Sequence, residues 1–182
     1  ILSGQLLKLQ FLLFNENFLT GTLPSSYFCL PALVQLYVYS NLFTGPLTTC
    51  SAEEVSDSLL ATLDLSENHF SGAVPASFTF FKHLRYLIMS DNKLEGPLDN
   101  IFNSTQQAHM SVIDVSGNLF TNAIPSTFFL GKLDVFSATT NCLRGALPES
   151  LCSADTLVTF GVDGAGSASE CAGNSGVQFS TH

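Results

Sequence analysis

Apolar residues recur along the chain in a fixed frame that ends at an asparagine. In the clearest copy Leu63 and Leu65 flank Asp64, and Asn68 follows three residues after the second leucine. Alternation with a period of two predicts one short strand per repeat, with its leucines pointing inward. The asparagine position recurs at spacings of 24, 27, 24, 26 and 23 residues, at Asn17, Asn41, Asn68, Asn92, Asn118 and Asn141. Because asparagine can hydrogen-bond to the backbone where a chain turns, stacked repeats would form a continuous asparagine ladder.

A second half-repeat follows the asparagine and reads "LTGTLP", "FSGAVP", "FTNAIP" and "LRGALP" in four copies. These phrases resemble the leucine-rich repeat, in the subtype with an L-S-G-x-I-P half-repeat that is best known from plants and also found in protists. The resemblance implies an α/β-type solenoid, a right-handed superhelix of about seven coils with short parallel strands on the concave face and irregular or 3-10 turns on the convex face. The sequence departs from the subtype where Pro46 and Pro97 come one place early and where Asn122 replaces the expected glycine.

The repeat pattern divides the chain into three parts. Residues 1–8 are interpreted as the remnant of a preceding coil or an N-terminal cap, residues 9–162 as the solenoid, and residues 163–182 as a C-terminal cap or linker rich in glycine, serine and alanine. The two longest repeats hold "TTCSAEEVSDS" and "DNIFNSTQQAH", and both insertions are expected to bulge from the convex or descending side. Asn103 opens a sequon, Asn103-Ser104-Thr105, in the second insertion, and is therefore a candidate for N-glycosylation.

Composition narrows the setting in which the chain works. Charged residues make up 12% of its 182 residues, and the net charge is −9 with a pI near 4.5. Nucleic-acid binding requires a basic surface, so it is not expected. No stretch approaches the roughly 18 to 20 apolar residues of a membrane span, so we expect no direct membrane insertion by this segment. A surface of neutral polar groups is common outside cells, which favours an extracellular or cell-surface location.

Cysteines give two candidate disulfides. The resemblance to extracellular repeat caps favours Cys152 with Cys171, and Cys29 with Cys50 is the second candidate because both lie on convex segments of adjacent coils. Cys142 is left over, as a free thiol or a link to another chain. The alternative is that all five are reduced, as in a cytosolic repeat protein. Their spacing matches no zinc motif, so we expect no metal site, and nothing points to a cofactor.

Catalysis is not expected. The four histidines lie in different positions of the repeat frame, so they do not converge on one site. Asp64 and Asp114 share one frame position two coils apart, about 10 Å at the usual strand spacing. An open sheet is expected to offer no burial that would raise the pKa of either carboxyl, so the pair does not predict an acid–base site.

Outward positions of successive strands form columns across the concave sheet, and these columns supply the candidate ligand-binding residues. Aromatic and aliphatic side chains gather there with carboxylates, at Phe11, Leu13, Tyr37, Tyr39, Asp64, Tyr86, Ile88 and Asp114. Other acids on this face are Glu16, Glu67, Asp91, Asp134 and Asp163, against the single base Arg85. The partner is therefore expected to be basic, or neutral and polar. In the alternatives, a preceding segment covers Phe11 and Leu13, and the acids only keep the sheet soluble.

The pattern and the resemblance together predict a non-catalytic extracellular module, such as a receptor ectodomain, that binds a protein, peptide or glycan through its concave sheet. The alternative is a structural surface-coat or fibrous glycoprotein module that self-assembles. An ice-binding face is disfavoured because the spacing of the repeats is irregular.

Overall fold

The computed structural model describes residues 6–162 and has the predicted solenoid architecture. Seven three-residue strands form its concave sheet, each parallel to the strand of the next coil. In sheet order they are β1 (Phe11–Leu13), β3 (Gln35–Tyr37), β5 (Thr62–Asp64), β7 (Tyr86–Ile88), β9 (Val112–Asp114), β11 (Val135–Ser137) and β12 (Thr159–Gly161). The middle residue of each, such as Leu36, Leu63 or Leu87, points into the core, as period-two alternation requires.

A second parallel sheet of five strands follows the asparagine positions, and the sequence reading did not predict it. Its strands are β2 (Thr20–Gly21), β4 (Leu42–Pro46), β6 (His69–Ala73), β8 (Lys93–Pro97) and β10 (Leu119–Thr121). The glycine of the half-repeat lies within or beside these strands. Gly45 has φ +82, and a Cβ there would lie 3.0 Å from Thr22 Cγ2, so a side chain would be both strained and crowded. Asn122 takes the same position with φ 66, which asparagine tolerates better than most residues.

Short helices cover the convex side. They are the 3-10 helices η1 (Ser25–Cys29), η2 (Ala76–Phe80), η3 (Leu98–Asn100), η4 (Ser126–Leu130) and η5 (Glu149–Ser153), and the α-helix α1 (Ala52–Ser56). An extended proline precedes each of the five 3-10 helices, because its ring holds φ near −65° and it needs no backbone donor at a helix start. Ser51 and Glu54 form a capping box at the start of α1.

The two long repeats place their extra residues on this convex side, as predicted. Helix α1 lies in the first insertion and contacts η1 and η2. The second insertion is held by the buried side chain of Gln107. Its Nε2 donates to the Phe78 carbonyl at 3.0 Å, and its Oε1 accepts from the backbone N–H of Asn103 at 2.9 Å. Since both insertions leave on the convex side, the concave strands keep their pairing.

Phenylalanine fills the convex half of the core. Phe78 and Phe81 are fully buried and meet edge to face at 5.6 Å, and Phe128 meets Phe136 in the same way at 5.8 Å. Edge-to-face contacts at these distances add to the stabilisation that comes from buried apolar area. No single coil could enclose such rings, so the core exists only between stacked coils.

The asparagine ladder is present. Asn68 is buried, its Oδ1 accepts from the Phe43 amide at 3.0 Å, and its Nδ2 donates to the Val38 carbonyl at 3.0 Å. Asn41, Asn118 and Asn141 are buried as well, while Asn92 is half-buried and Asn17 is exposed. Within residues 6–162, every buried side-chain nitrogen or oxygen has a hydrogen-bond partner.

The domain boundaries stay a prediction, because the proposed cap or linker at 163–182 and most of the proposed N-terminal segment 1–8 lie outside the described residues. Across residues 6–162, no helix is long and apolar enough to cross a bilayer.

We expect Asn68→Ala to lower the free energy of unfolding by about 1–3 kcal/mol, because it leaves the buried Phe43 amide without a partner and removes one of the two donors to the Val38 carbonyl. Asn17→Ala is the matched control, since Asn17 is exposed and its side chain donates to the Phe14 and Asn15 carbonyls of its own turn instead of bridging two coils. Its expected cost is under about 1 kcal/mol. Urea unfolding measures both, and equal costs would contradict a stabilising role for the buried ladder.

Candidate functional site

The concave sheet aligns its outward side chains in the columns that the sequence predicted. Strand register pairs Leu13 with Tyr37, Tyr37 with Asp64, and Asp64 with Ile88. The next pairing in the same column joins Ile88 to Asp114. Because paired positions of neighbouring strands lie about 4.8 Å apart, residues distant in sequence become neighbours on one open face.

A depression of about 480 Å³ lies on this face across β3, β5 and β7. It is lined by Gln35, Tyr37, Tyr39, Thr62, Asp64, Tyr86 and Ile88. Five of these are predicted site residues. Gln35 and Thr62 were missed as site residues because they are polar and carry no aromatic or charge signal, although their place in the strand frame put them in the same column as Tyr86.

Three predicted site residues lie outside the depression. Phe11 and Leu13 belong to β1, at the edge of the sheet, and are 53% and 56% exposed. Asp114 lies on β9, beyond the far wall of the depression. The predicted set therefore separates into a central group and two flanking positions.

Tyr37 and Tyr39 form one wall of the depression, with ring centroids 6.2 Å apart in an edge-to-face arrangement. The Tyr39 hydroxyl donates to Glu16 Oε1 at 3.1 Å and accepts from Asn15 Nδ2 at 3.0 Å. The hydrogen bond to Glu16, followed by burial of the hydroxyl and the neighbouring negative charges, raises the pKa of Tyr39 above its ordinary value. These bonds hold the ring in place at the mouth of the depression.

Asp64 is half-buried in the depression. Its Oδ1 accepts from the Ser66 hydroxyl at 2.6 Å and from the Ser66 amide at 3.0 Å. Burial raises the pKa of Asp64, the Ser66 bonds oppose that rise, and the charges of Glu67 and Asp114 add to it. The expectation that this open sheet could not raise a carboxyl pKa by burial is therefore wrong, because the tyrosine and isoleucine side chains of adjacent coils shield Asp64 from water.

Asp114 repeats the local geometry of Asp64 two coils further along the column, beyond Ile88. Its Oδ1 accepts from the Ser116 hydroxyl at 2.6 Å and from the Ser116 amide at 3.0 Å. Glycosidase chemistry would need a shared pocket for the two carboxyls, and only Asp64 lies in the depression.

The remaining acids surround the columns. Glu16, Glu67 and Asp91 are exposed and take left-handed backbone conformations (φ 56, 51 and 53) directly before the ladder asparagines. Asp134 accepts from the Ser111 hydroxyl at 2.6 Å, and Arg85 is exposed. The predicted Asp163 lies outside the described residues. The described part of the concave face therefore carries a strong excess of negative charge.

Among the histidines and cysteines of residues 6–162, none lies in the lining of the depression. His69, His83 and His109 are exposed and absent from its lining. Cys29, Cys50 and Glu54 approach one another closely enough to suggest a metal site. The two cysteines are joined in a disulfide, however, so they offer no thiolate to a metal ion.

The cysteines follow one predicted pairing and depart from the other. Cys29 and Cys50 form a disulfide, with Cα atoms 6.4 Å apart, as proposed for adjacent convex segments. Cys152 carries an exposed free thiol, and Cys142 is buried and disulfide-bonded. The predicted roles of these two cysteines are thus reversed, because Cys152 points to solvent from η5 while Cys142 lies inside the coil. Cys171 lies outside the described residues.

These features define a class of protein: a solenoid of stacked parallel strands whose open concave sheet carries a depression. The Leucine Rich Repeat family matches residues 59–81 and 83–104. Cuscuta receptor 1 of Solanum lycopersicum is 32% identical over 138 residues, which are 74% of this chain and 12% of that receptor. The chain is therefore a member of the leucine-rich repeat family, and it spans only a small part of the curated relative.

Solved structures agree with this membership. The ectodomain of the plant membrane receptor kinase GASSHO1/SCHENGEN3 from Arabidopsis thaliana, in complex with CASPARIAN STRIP INTEGRITY FACTOR 2, matches with a TM-score of 0.75 and 30% identity. That match covers 89% of this chain and 19% of the receptor chain. The plant peptide hormone receptor RGFR1 in complex with RGF2 matches with a TM-score of 0.77 and 25% identity, over 86% of this chain and 24% of that chain.

Asp64 gives a stability prediction with a definite sign. The folded state raises the pKa of Asp64 above its unfolded value of about 3.9, so folding favours the protonated carboxyl. The stability that the protonated form contributes is complete below the unfolded pKa and is lost as pH rises through the folded pKa. At neutral pH the ionised carboxylate thus opposes folding. We expect Asp64→Asn to raise the urea midpoint at pH 7 and to lose that advantage in acid.

Ser66→Ala is the opposing variant for the same measurement. It removes the hydroxyl that donates to Asp64, so we expect a loss of about 1 kcal/mol at neutral pH. A lower urea midpoint for Asp64→Asn than for the unmodified chain at pH 7 would show that burial does not dominate at this carboxyl.

Proposed function

We propose that this chain is the ligand-recognition part of an extracellular, plant-type receptor, and that it binds a peptide or a peptide segment of a protein across its concave sheet without catalysis. The observation that carries the proposal is the depression across β3, β5 and β7. Aromatic side chains gathered in one concavity on a rigid scaffold, like the half-buried Tyr37 and Tyr39 and the exposed Tyr86, are the usual anchor points of binding surfaces.

An extended peptide suits the geometry better than a glycan or a flat protein surface. The columns run across the coils at a spacing of about 4.8 Å, and the side chains on one face of an extended peptide recur about every 6.7 Å, so a short extended segment laid along a column contacts several coils. Tyr37, Tyr39 and Tyr86 each offer an apolar ring and a polar hydroxyl, which serves peptide backbones and side chains alike. Support also comes from the matched receptor RGFR1, which is described as a plant peptide hormone receptor.

An extracellular setting is supported by one feature of the chain and by one matched structure. The Cys29–Cys50 disulfide is typical of an oxidising environment. The matched GASSHO1/SCHENGEN3 structure is the ectodomain of a membrane receptor kinase.

Self-assembly into a surface coat has weaker support. Its sequence argument rested partly on Cys142 as a leftover thiol for linking chains. Cys142 is disulfide-bonded and does not supply that thiol; the exposed free thiol is Cys152, which lies on the convex side and away from the aromatic columns.

The test is selection of binders from a displayed library of random peptides against the full 182-residue chain. We expect enriched peptides to lose about tenfold or more in affinity for a Tyr37→Ser/Tyr86→Ser variant, because aromatic anchors dominate binding energy. Leu130→Ser is the matched control, since Leu130 is 70% exposed at the end of η4 on the convex side. Biolayer interferometry measures the affinities of the chain and both variants.

Other outcomes would redirect the assignment. Peptides that bind the double variant as tightly as the unmodified chain would contradict a concave peptide site. Tyr86-dependent binding on a glycan array, with no peptide enriched, would replace the peptide by a glycan. Loss of a soluble oligomer in the double variant alone would favour the self-assembling module.

We also propose that Asn103 carries an N-linked glycan. Asn103 is exposed in the convex insertion, and its Oδ1 accepts from the Thr105 hydroxyl at 2.6 Å and from the Thr105 amide at 3.0 Å. A glycan at this position would extend away from the concave sheet and leave the depression open.

Secretion of the chain from animal cells tests the acceptor. We expect N-glycanase to increase the electrophoretic mobility of the chain with its native sequence. The substitutions Asn103→Gln and Thr105→Ala should each abolish that shift. Ser104→Ala should keep the shift, because the middle sequon residue is not required. If the chain with its native sequence migrates like Asn103→Gln before treatment, the sequon is not used.

A further inference from the structure

We propose that the depression across β3, β5 and β7 receives an arginine side chain of the ligand, with Asp64 as its counter-charge and the rings of Tyr37, Tyr39 and Tyr86 around it. This inference rests on the proposed peptide recognition and names the ligand chemistry at its centre. It is carried by one half-buried carboxylate, its aromatic surroundings and the charge of the face.

Asp64 is only partly satisfied by the chain itself. Both hydrogen bonds that it accepts, from the Ser66 hydroxyl and the Ser66 amide, reach Oδ1. Among residues 6–162, no group donates to Oδ2, and no lysine or arginine forms an ion pair with Asp64. A half-buried carboxylate with one free oxygen favours a cationic donor that reaches it from the ligand.

The walls of the depression suit a guanidinium group. Strand register places Tyr37 on one side of Asp64 and Ile88 on the other, and it pairs Tyr86 with Thr62 beside them. A guanidinium can stack on an aromatic face while its nitrogens donate to a carboxylate in the same plane. The side-chain oxygens of Gln35 and Thr62, also in the lining, are acceptors for the remaining nitrogens.

The charge of the concave face selects the same partner. Glu16, Glu67, Asp91, Asp114 and Asp134 are the other acids on the described part of this face, and Arg85 is its base. Such a field raises the local concentration of a cationic segment and repels an anionic one. If these acids served only solubility, neutralising Asp64 and neutralising Asp114 would change the affinity for a cationic ligand by the same amount.

The test uses two probes that differ in charge but hardly in shape: pentapeptides with four glycines around a central arginine or a central citrulline. Amide chemical-shift titration of the full chain measures binding at millimolar peptide. We expect saturable shifts in β3, β5 and β7 with the arginine probe and about fivefold weaker binding of the citrulline probe. Shifts elsewhere, no binding of the arginine probe, or equal binding of both probes would overturn the inference.

Matched variants assign the effect to the depression. Asp64→Asn should weaken binding of the arginine probe by about tenfold while its urea midpoint rises, so lost folding cannot explain the loss. Asp114→Asn makes the same chemical change, with the same serine bonds, outside the depression, and should change the affinity by less than about twofold. Equal losses in both variants would show a general field instead of a site.

Tyr86 supplies the second readout. Tyr86→Phe should keep the affinity for the arginine probe, and Tyr86→Leu should lose about threefold or more, because only an aromatic face attracts the cation. Equal binding by these two variants would overturn the aromatic part of the site. If displayed peptides bind the concave sheet without preference for arginine, this inference fails and peptide recognition stands.

Discussion

The rest of the structure depends on the asparagine ladder, a row of side-chain amides that satisfy backbone groups between coils. Asn68 accepts from the amide of Phe43 in the preceding coil and donates to carbonyls of both coils. Asn118 repeats the pattern with the Leu94 amide and the Met89 carbonyl. Since buried backbone groups must find partners, each coil can stack on the last in only one register. That register aligns the concave columns.

In the stacked coils, different side chains serve stability and binding. Inward leucines and phenylalanines hold the coils together, while outward strand residues such as Tyr37 and Tyr86 are not needed by the core. These outward positions are therefore free to carry a binding surface. A binding residue can also lower stability. Burial raises the pKa of Asp64, so its ionised form opposes folding at neutral pH.

Length variation between repeats is absorbed on the convex side. Helix α1, with its capping box, and the Gln107-anchored segment accommodate the two long repeats. The Cys29–Cys50 disulfide ties the first of these insertions to η1. A concave sheet with unbroken register across seven strands results, and a binding surface that spans several coils requires that continuity.

The sequence by itself determined the features that repeat. The spacing of leucines and asparagines set the coil, the inward and outward strand positions and the column that joins Tyr37, Asp64 and Ile88, because strand alternation and repeat period are local properties. Adjacent positions in that frame also made Cys29–Cys50 a candidate pair, ranked second, and the structure forms it.

Tertiary structure alone decided the features that depend on neighbouring coils. The second sheet forms because extended segments after the asparagines meet the next coil, which no single repeat reveals. Cys142 is inside and Cys152 outside because packing between coils sets the direction of each side chain. The depression, with Gln35 and Thr62 in its lining, likewise arises from different side chains meeting across three coils, and so does the raised pKa of Asp64.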